Sequence, residues 1–228
     1  MNAQNAADLS ATFGFSSMKT RAMYRAYKKM IRRLGGGDIR VKDLKAYFRV
    51  HSQNNLATRC FRVLERAKCH RLEFPAFVLF CVNACANSET SLNNFAFSTY
   101  SHGKGFLTAE EVFSICEDAY NLNNVYKTSI VQNSKVFKRA KLKKKIASLC
   151  TRGSDGLPSI TYENFLVFTK QNSLFLFPAF KLQQSIRSRV CGAPFWNGIK
   201  LVVSGATPLP GPTGSENTFV AVDAGSSR

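Results

Sequence analysis

Four times along this chain a helical stretch runs into a polar or glycine-bearing turn, then a short apolar-x-apolar pattern, then a second helical stretch. The junctions read GGGDIRVKDLKAYF, KCHRLEFPAFVLF, GKGFLTAEEVFSI and GLPSITYENFLVF. A single such junction would carry little, because a glycine and an apolar residue ahead of a helix are common. Four in order restrict the chain to repeated helix–loop–helix units. Ile39, Leu72, Leu107 and Ile160 align as the apolar residues ahead of the second helices. Leu44, Phe77, Val112 and Phe165 then fall where the outgoing helices turn inward. An unrelated helical bundle, with the glycines as ordinary C-caps, is the alternative.

The layout resembles the EF-hand. Its loop turns sharply at the sixth position, pairs with a second loop through an apolar eighth residue, and starts its outgoing helix near the ninth. Taking the four aligned residues as eighth positions sets the loops at 32–43, 65–76, 100–111 and 153–164. The fold class expected is all-α and EF-hand-like: two lobes of paired helix–loop–helix units with minimal β-bridges, an extra C-terminal helix and an extended tail. The expected boundaries are a flexible arm over 1–14, an N-terminal lobe over 15–87, a C-terminal lobe over 88–190 with a basic insertion at 124–147, and a tail over 191–228. In the leading helix, FSSMKTRAMYRAYKKMIRRL places Met23, Tyr27, Met30, Ile31 and Leu34 at helical spacing, with Ser16 or Ser17 as N-cap and three glycines as the stop.

Calcium takes six to eight oxygens from loop positions one, three, five, seven, nine and twelve. The first loop offers Arg32, Leu34 and Gly36 at the first three of these, so a cation stands where the ion should be. The second has Glu65, then Ala67 and Cys69, and ends on Ala76. The third keeps the form, with Gly105 at six, Leu107 at eight, Thr108 at nine and Glu111 at twelve, but Tyr100, His102 and Lys104 replace the acids. The fourth has Asp155, Leu157, Pro158 and Asn164. The expectation is a scaffold without metal or other cofactor, Glu111 being the one weak candidate ligand.

LSATFGFSSMKTRAMYRAYKKM resembles the leading helix of the calcineurin B and neuronal calcium sensor group, and NNFAFSTYSHGKGFLTAEEVF resembles their third hand. The resemblance covers residues 9–190, without the loop acids and without the glycine needed for myristoylation, since Asn2 stands there. NSLFLFPAFKLQQSIRSRVCGAPFW is similar to the extra helix of calaxin-like axonemal EF-hand proteins. That likeness implies an apolar face of Phe175, Phe177, Phe180, Leu182, Ile186 and Val190 laid across the C-terminal lobe, in the groove where related sensors hold a target helix. Core closure and partner binding are both open to it.

Formal charge is +18, from 32 Lys and Arg against 14 Asp and Glu, which points to an acidic partner. Two clusters carry much of it. Lys19, Arg21, Arg25, Lys28, Lys29, Arg32 and Arg33 line the first helix; Lys135, Lys138, Arg139, Lys141, Lys143, Lys144 and Lys145 crowd the basic insertion. No nucleic-acid motif or stacking platform accompanies them. If the axonemal resemblance holds, the acidic surface is that of tubulin or axonemal proteins within a large assembly.

The seven cysteines are an odd number set mostly among apolar residues, which reads as reduced thiols. No apolar run reaches the ~20 residues that span a bilayer. From Gly192 the composition turns to Gly, Pro, Ser and Thr, an extended tail with Phe195, Trp196 and Phe219 as anchors on a neighbour. No nucleophile–base pair, phosphate loop or acid pair appears, so no enzyme and no small-molecule substrate are expected. These features suggest a structural component of a flagellar axoneme or other microtubule-based assembly, located in the cytoplasm at the cytoskeleton or cilium. A calcineurin-B-like regulatory subunit that grips a target helix, or a fixed subunit of an organellar complex, is the alternative.

Overall fold

A serine hydroxyl starts the first helix. In the computed structural model, which describes residues 13, 15–35, 39–66, 73–85, 89–126, 139–152, 158–197 and 199, Ser16 Oγ accepts the Lys19 N–H at 3.4 Å and caps α1 (Ser17–Arg33). Met23 and Met30 are fully buried along its inner face, with Tyr27, Ile31 and Leu34 packed beside them. Gly35 ends the helix at φ +81°, in the left-handed region where a side chain is strained.

The described residues are all-α with one small sheet. After α1 come α2 (Val41–Phe48), α3 (Asn55–Arg66), α4 (Phe74–Cys85) and α5 (Glu89–Ser101). Then follow β1 (Leu107–Thr108), α6 (Ala109–Tyr126), α7 (Arg139–Ala147), β2 (Thr151–Arg152), β3 (Pro158–Ile160) and α8 (Tyr162–Gln171). A 3₁₀ turn (Ser173–Leu176), α9 (Phe177–Arg189) and α10 (Ala193–Asn197) close the fold. No helix among the described residues is long and apolar enough to cross a membrane.

The repeat read from the sequence sets the helix starts. Val41, Phe74, Ala109 and Tyr162 open α2, α4, α6 and α8, and each is the tenth residue of its aligned loop. Packing repeats as well: α1 lies on α4 and α2 on α3, while α5 lies on α8 and α6 on α7. Each group of four therefore pairs its outer helices and its inner helices. Between the third and fourth loops the two expected eighth-position residues are partners, since β1 runs antiparallel to β3 with Leu107 opposite Ile160. Both side chains are fully buried. The strand β2 extends the sheet on the far side of β3, with Thr151 opposite Ser159. In the first pair Ile39 packs on the core, and its expected partner Leu72 lies outside the described residues.

One apolar cluster runs through both groups of four helices, which meet through α3 on α5, α4 on α5 and α3 on α6 as well as through α9. That helix packs on α2, α3 and α4 of the first group and on α5 and α6 of the second, so it lies between the lobes and not across the C-terminal one. Pro178, Ala179, Leu182, Gln183 and Ile186 form its buried side. Phe180, expected on that side, sits on the opposite face at 43% exposure. Its place follows from geometry, because Phe180 is two positions from both Pro178 and Leu182, about 200° around the helix.

Residues 139–147 of the expected basic insertion form the incoming helix of the fourth unit, with Leu142 and Ile146 in the core, while residues 127–138 lie outside the described part. Phe13 packs against Phe15, whose ring meets Phe195 edge-on at 6.1 Å. Trp196 is 1% exposed and its Nε1–H donates to the Val190 carbonyl at 2.7 Å. Phe195 and Trp196 thus anchor to the protein's own core, because an apolar ring pair near the end of a helix is buried wherever the nearest core offers room. Phe219 lies outside the described residues.

Candidate functional site: a loop closed by its own side chains and a row of cations

In the third aligned loop, 100–111, the positions compared above with calcium ligands are engaged within the protein. Tyr100, at the first, is fully buried and its hydroxyl donates to Asp118 Oδ2 at 2.7 Å. Burial, and after it the neighbouring carboxylate, pushes the phenol well above its ordinary range, so it remains a donor. His102, at the third, has φ +52° and its Nε2 lies 3.4 Å from Arg59 Nη1. Lys104, at the fifth, places its ammonium 2.8 Å from Glu111 Oε1. Gly105 follows at φ +80°, and no atom lies within 4 Å of where a Cβ would stand, so conformation and not space calls for glycine there.

Glu111 has two duties, both internal. Its Oε2 accepts the Thr108 N–H at 2.8 Å while Thr108 Oγ1 accepts the Glu111 N–H at 3.2 Å, a reciprocal cap on α6. One half of this device recurs at the twelfth position of the first loop, where Asp43 Oδ2 accepts the Arg40 N–H at 3.0 Å and the Asp43 N–H goes to the Arg40 carbonyl. In the fourth loop Asn164 Nδ2 donates to the Leu149 carbonyl at 3.0 Å. Where a calcium loop aims its last residue at the ion, these three side chains are turned onto the protein's own backbone. The residues of the loop at 100–111 do not fit a calcium ion: the Lys104 ammonium lies on a carboxylate edge of Glu111, its twelfth residue. Among the described residues no group of three or more His, Cys, Asp and Glu side chains is disposed to hold a metal.

A polar seam ties the loop to the first group of helices. Asn55 Nδ2 donates to Asp118 Oδ1 at 2.6 Å, Arg59 Nη2 donates to Ser114 Oγ at 3.3 Å, and the Arg59 guanidinium lies 5.0 Å from the Tyr100 ring centre. Asp118, Asn55 and Arg59 were not singled out from the sequence, because their pairing joins residues about sixty apart and has no local pattern. Asn54 Nδ2 donating to the Pro178 carbonyl, and Arg187 Nη2 donating to that of Cys85, fix α9 in the cleft.

The cations fall into two groups of different standing. On α1, Arg21, Arg25, Lys28, Lys29, Arg32 and Arg33 are exposed and Lys19 is half-buried. At 3.6 residues per turn, Arg21, Arg25, Lys28, Lys29 and Arg32 lie within about 100° of one another, a single face without an acid. Lys28 rests near the Tyr24 ring and Arg32 Nε donates to the Lys28 carbonyl, so neither is drawn to a carboxylate by these contacts. On α7, Lys143 and Lys144 are exposed, but Lys143 lies over the Phe113 ring and Lys145 donates to Asn172 Oδ1 at 3.4 Å. Arg139 and Lys141 lie on the same helix, their side chains outside the described part; Lys135 and Lys138 fall outside it altogether. No protein-family model matches this chain, and no curated protein does.

Proposed function

We propose that this chain is a degenerate EF-hand protein that acts as a fixed, non-enzymatic scaffold, independent of calcium, and docks on an acidic protein surface through the cation row of α1. The observation that carries the reading is the Lys104–Glu111 pair at 2.8 Å. The loop supplies its own cation, and its twelfth residue is spent on the helix cap. With α9 filling the cleft between the helix groups, the pair removes both halves of a calcium switch: the ion and the groove it would open.

The cation row supports the docking half. Like charges three or four residues apart destabilise a helix by about 0.2–0.5 kcal/mol per pair, and the row holds five such pairs, about 1–2.5 kcal/mol in all before screening. A helix face that only met water would be relieved by a few glutamates. Its persistence as five cations fits a surface held ready for carboxylates. A microtubule-based assembly such as an axoneme is the setting proposed, since it offers a repeated acidic exterior. The regulatory-subunit alternative would require α9 to leave a cleft in which Leu182 and Ile186 are fully buried. An organellar complex would change the location and leave the scaffold role intact.

Co-sedimentation of the purified protein with microtubules, at low and moderate salt and with or without calcium, tests the proposal. Binding that ignores calcium and weakens with salt is expected. No binding at any salt would remove the microtubule partner, and binding that requires calcium would remove the fixed scaffold.

A further inference from the structure

Resting on the docking role proposed above, the geometry of α1 points to the form of the partner: we infer that it is an acidic α-helix lying antiparallel along the row Met18, Arg21, Arg25, Lys28 and Arg32. Measured from Arg32 toward the helix start, Lys28, Arg25, Arg21 and Met18 rise by about 6, 10.5, 16.5 and 21 Å at 1.5 Å per residue. A second helix carries the same rises at j, j+4, j+7, j+11 and j+14. An extended strand presents side chains on one face about every 6.7 Å, and falls out of step with the row after the first pair.

The signature is therefore acidic residues at j, j+4, j+7 and j+11 with an apolar residue at j+14. The apolar position answers Met18, which is 79% exposed, the most exposed large apolar side chain among the described residues, and stands one turn beyond Arg21 on the same face. Antiparallel alignment also sets the helix dipoles head to tail. Three of the four cations in the row are arginines, whose planar forks hold carboxylates with two parallel bonds and thus favour a partner with ordered carboxylates.

Fluorescence anisotropy on the full chain tests this with an 18-residue helical peptide bearing Glu at 1, 5, 8 and 12 and Leu at 15. The comparison probes are a peptide of the same composition with the acids off the repeat, polyglutamate of equal charge, phosphatidylserine vesicles and a single-stranded oligonucleotide. The patterned peptide is expected to bind at least tenfold tighter than the scrambled one. Arg25→Glu with Lys28→Glu should abolish the difference, and Lys143→Glu with Lys144→Glu should change binding less than twofold. Equal binding of patterned and scrambled peptides overturns the proposal, as does preference for polyglutamate, vesicle or oligonucleotide. Microtubule binding that persists beside such a negative would leave the docking role standing and reject only the helical partner; patterned binding without microtubule binding would do the reverse.

Discussion

Reversing one charge on α1 should make the protein more stable and less able to bind. Arg25 is exposed and stands four residues after Arg21, three before Lys28 and four before Lys29. Arg25→Glu turns three repulsive pairs into attractive ones. At about 0.2–0.5 kcal/mol lost and regained per pair, discounted for exposure and screening, the gain is about 1 kcal/mol at low ionic strength. For a chain of this size that raises Tm by about 2–4 °C. Thermal unfolding followed by circular dichroism at 20 mM salt, repeated at 500 mM, reads it directly. The gain should shrink at the higher salt, where the Debye length falls to a few ångströms. A variant whose Tm falls at low salt would show that Arg25 serves an internal carboxylate, and the reading of the row as a free docking face would fail. Opposite signs for stability and binding are what a functional surface produces, since its arrangement is suited to a partner and not to the isolated fold.

Lys104→Met and Glu111→Gln, alone and together, form a cycle whose coupling should be about 0.5 kcal/mol, as the ammonium is 40% exposed, while Glu111→Gln alone should cost about 1 kcal/mol more through the cap; a coupling near zero would remove the closing role of Lys104. Trp196→Ala should destabilise by about 3–5 kcal/mol in urea melts followed by circular dichroism, because a fully buried indole and its bond to Val190 are both lost; a cost below about 1 kcal/mol would return the segment to the tail. Burial pushes the Cys60 thiol up to about 12 and Cys191 to about 11 from an ordinary 9.0, and raises Cys81, Cys85 and Cys116 as well. Unfolded thiols therefore ionise first, so stability is intact below pH 9 and falls as pH rises toward 11, by up to about 1.4 kcal/mol per thiol per pH unit; equal urea midpoints at pH 8 and pH 10 would contradict it.

What could be read from the sequence was local and repeated. The alignment of Ile39, Leu72, Leu107 and Ile160 put each outgoing helix where it starts, and made Leu107 and Ile160 partners before any strand was seen. An apolar residue between a turn and a cap carries that information in its neighbours. The direction of α9 did not lie in its own residues, because an apolar face says that a helix is buried and not which of two neighbouring surfaces receives it. Trp196 stood out as an anchor, but its place in the protein's own core was hidden by the Gly- and Pro-rich composition that follows it. The duty of Glu111 could have been found: Thr-x-x-Glu at 108–111 is a capping box, and a ligand reading and a cap reading compete for the same carboxylate. Asp118 gave no such signal, since its partners Tyr100 and Asn55 come from other helices.

The most direct test of a scaffold closed by its own side chains is a ¹H–¹⁵N correlation spectrum of the protein titrated with calcium to millimolar concentration. The amides of Gly105, Leu107 and Thr108 are expected to stay in place, because the carboxylate of Glu111 is held by Lys104 and by the Thr108 N–H. A saturable shift of the Gly105 and Leu107 resonances would contradict this, showing that the ion displaces the lysine and that the loop is a calcium site after all.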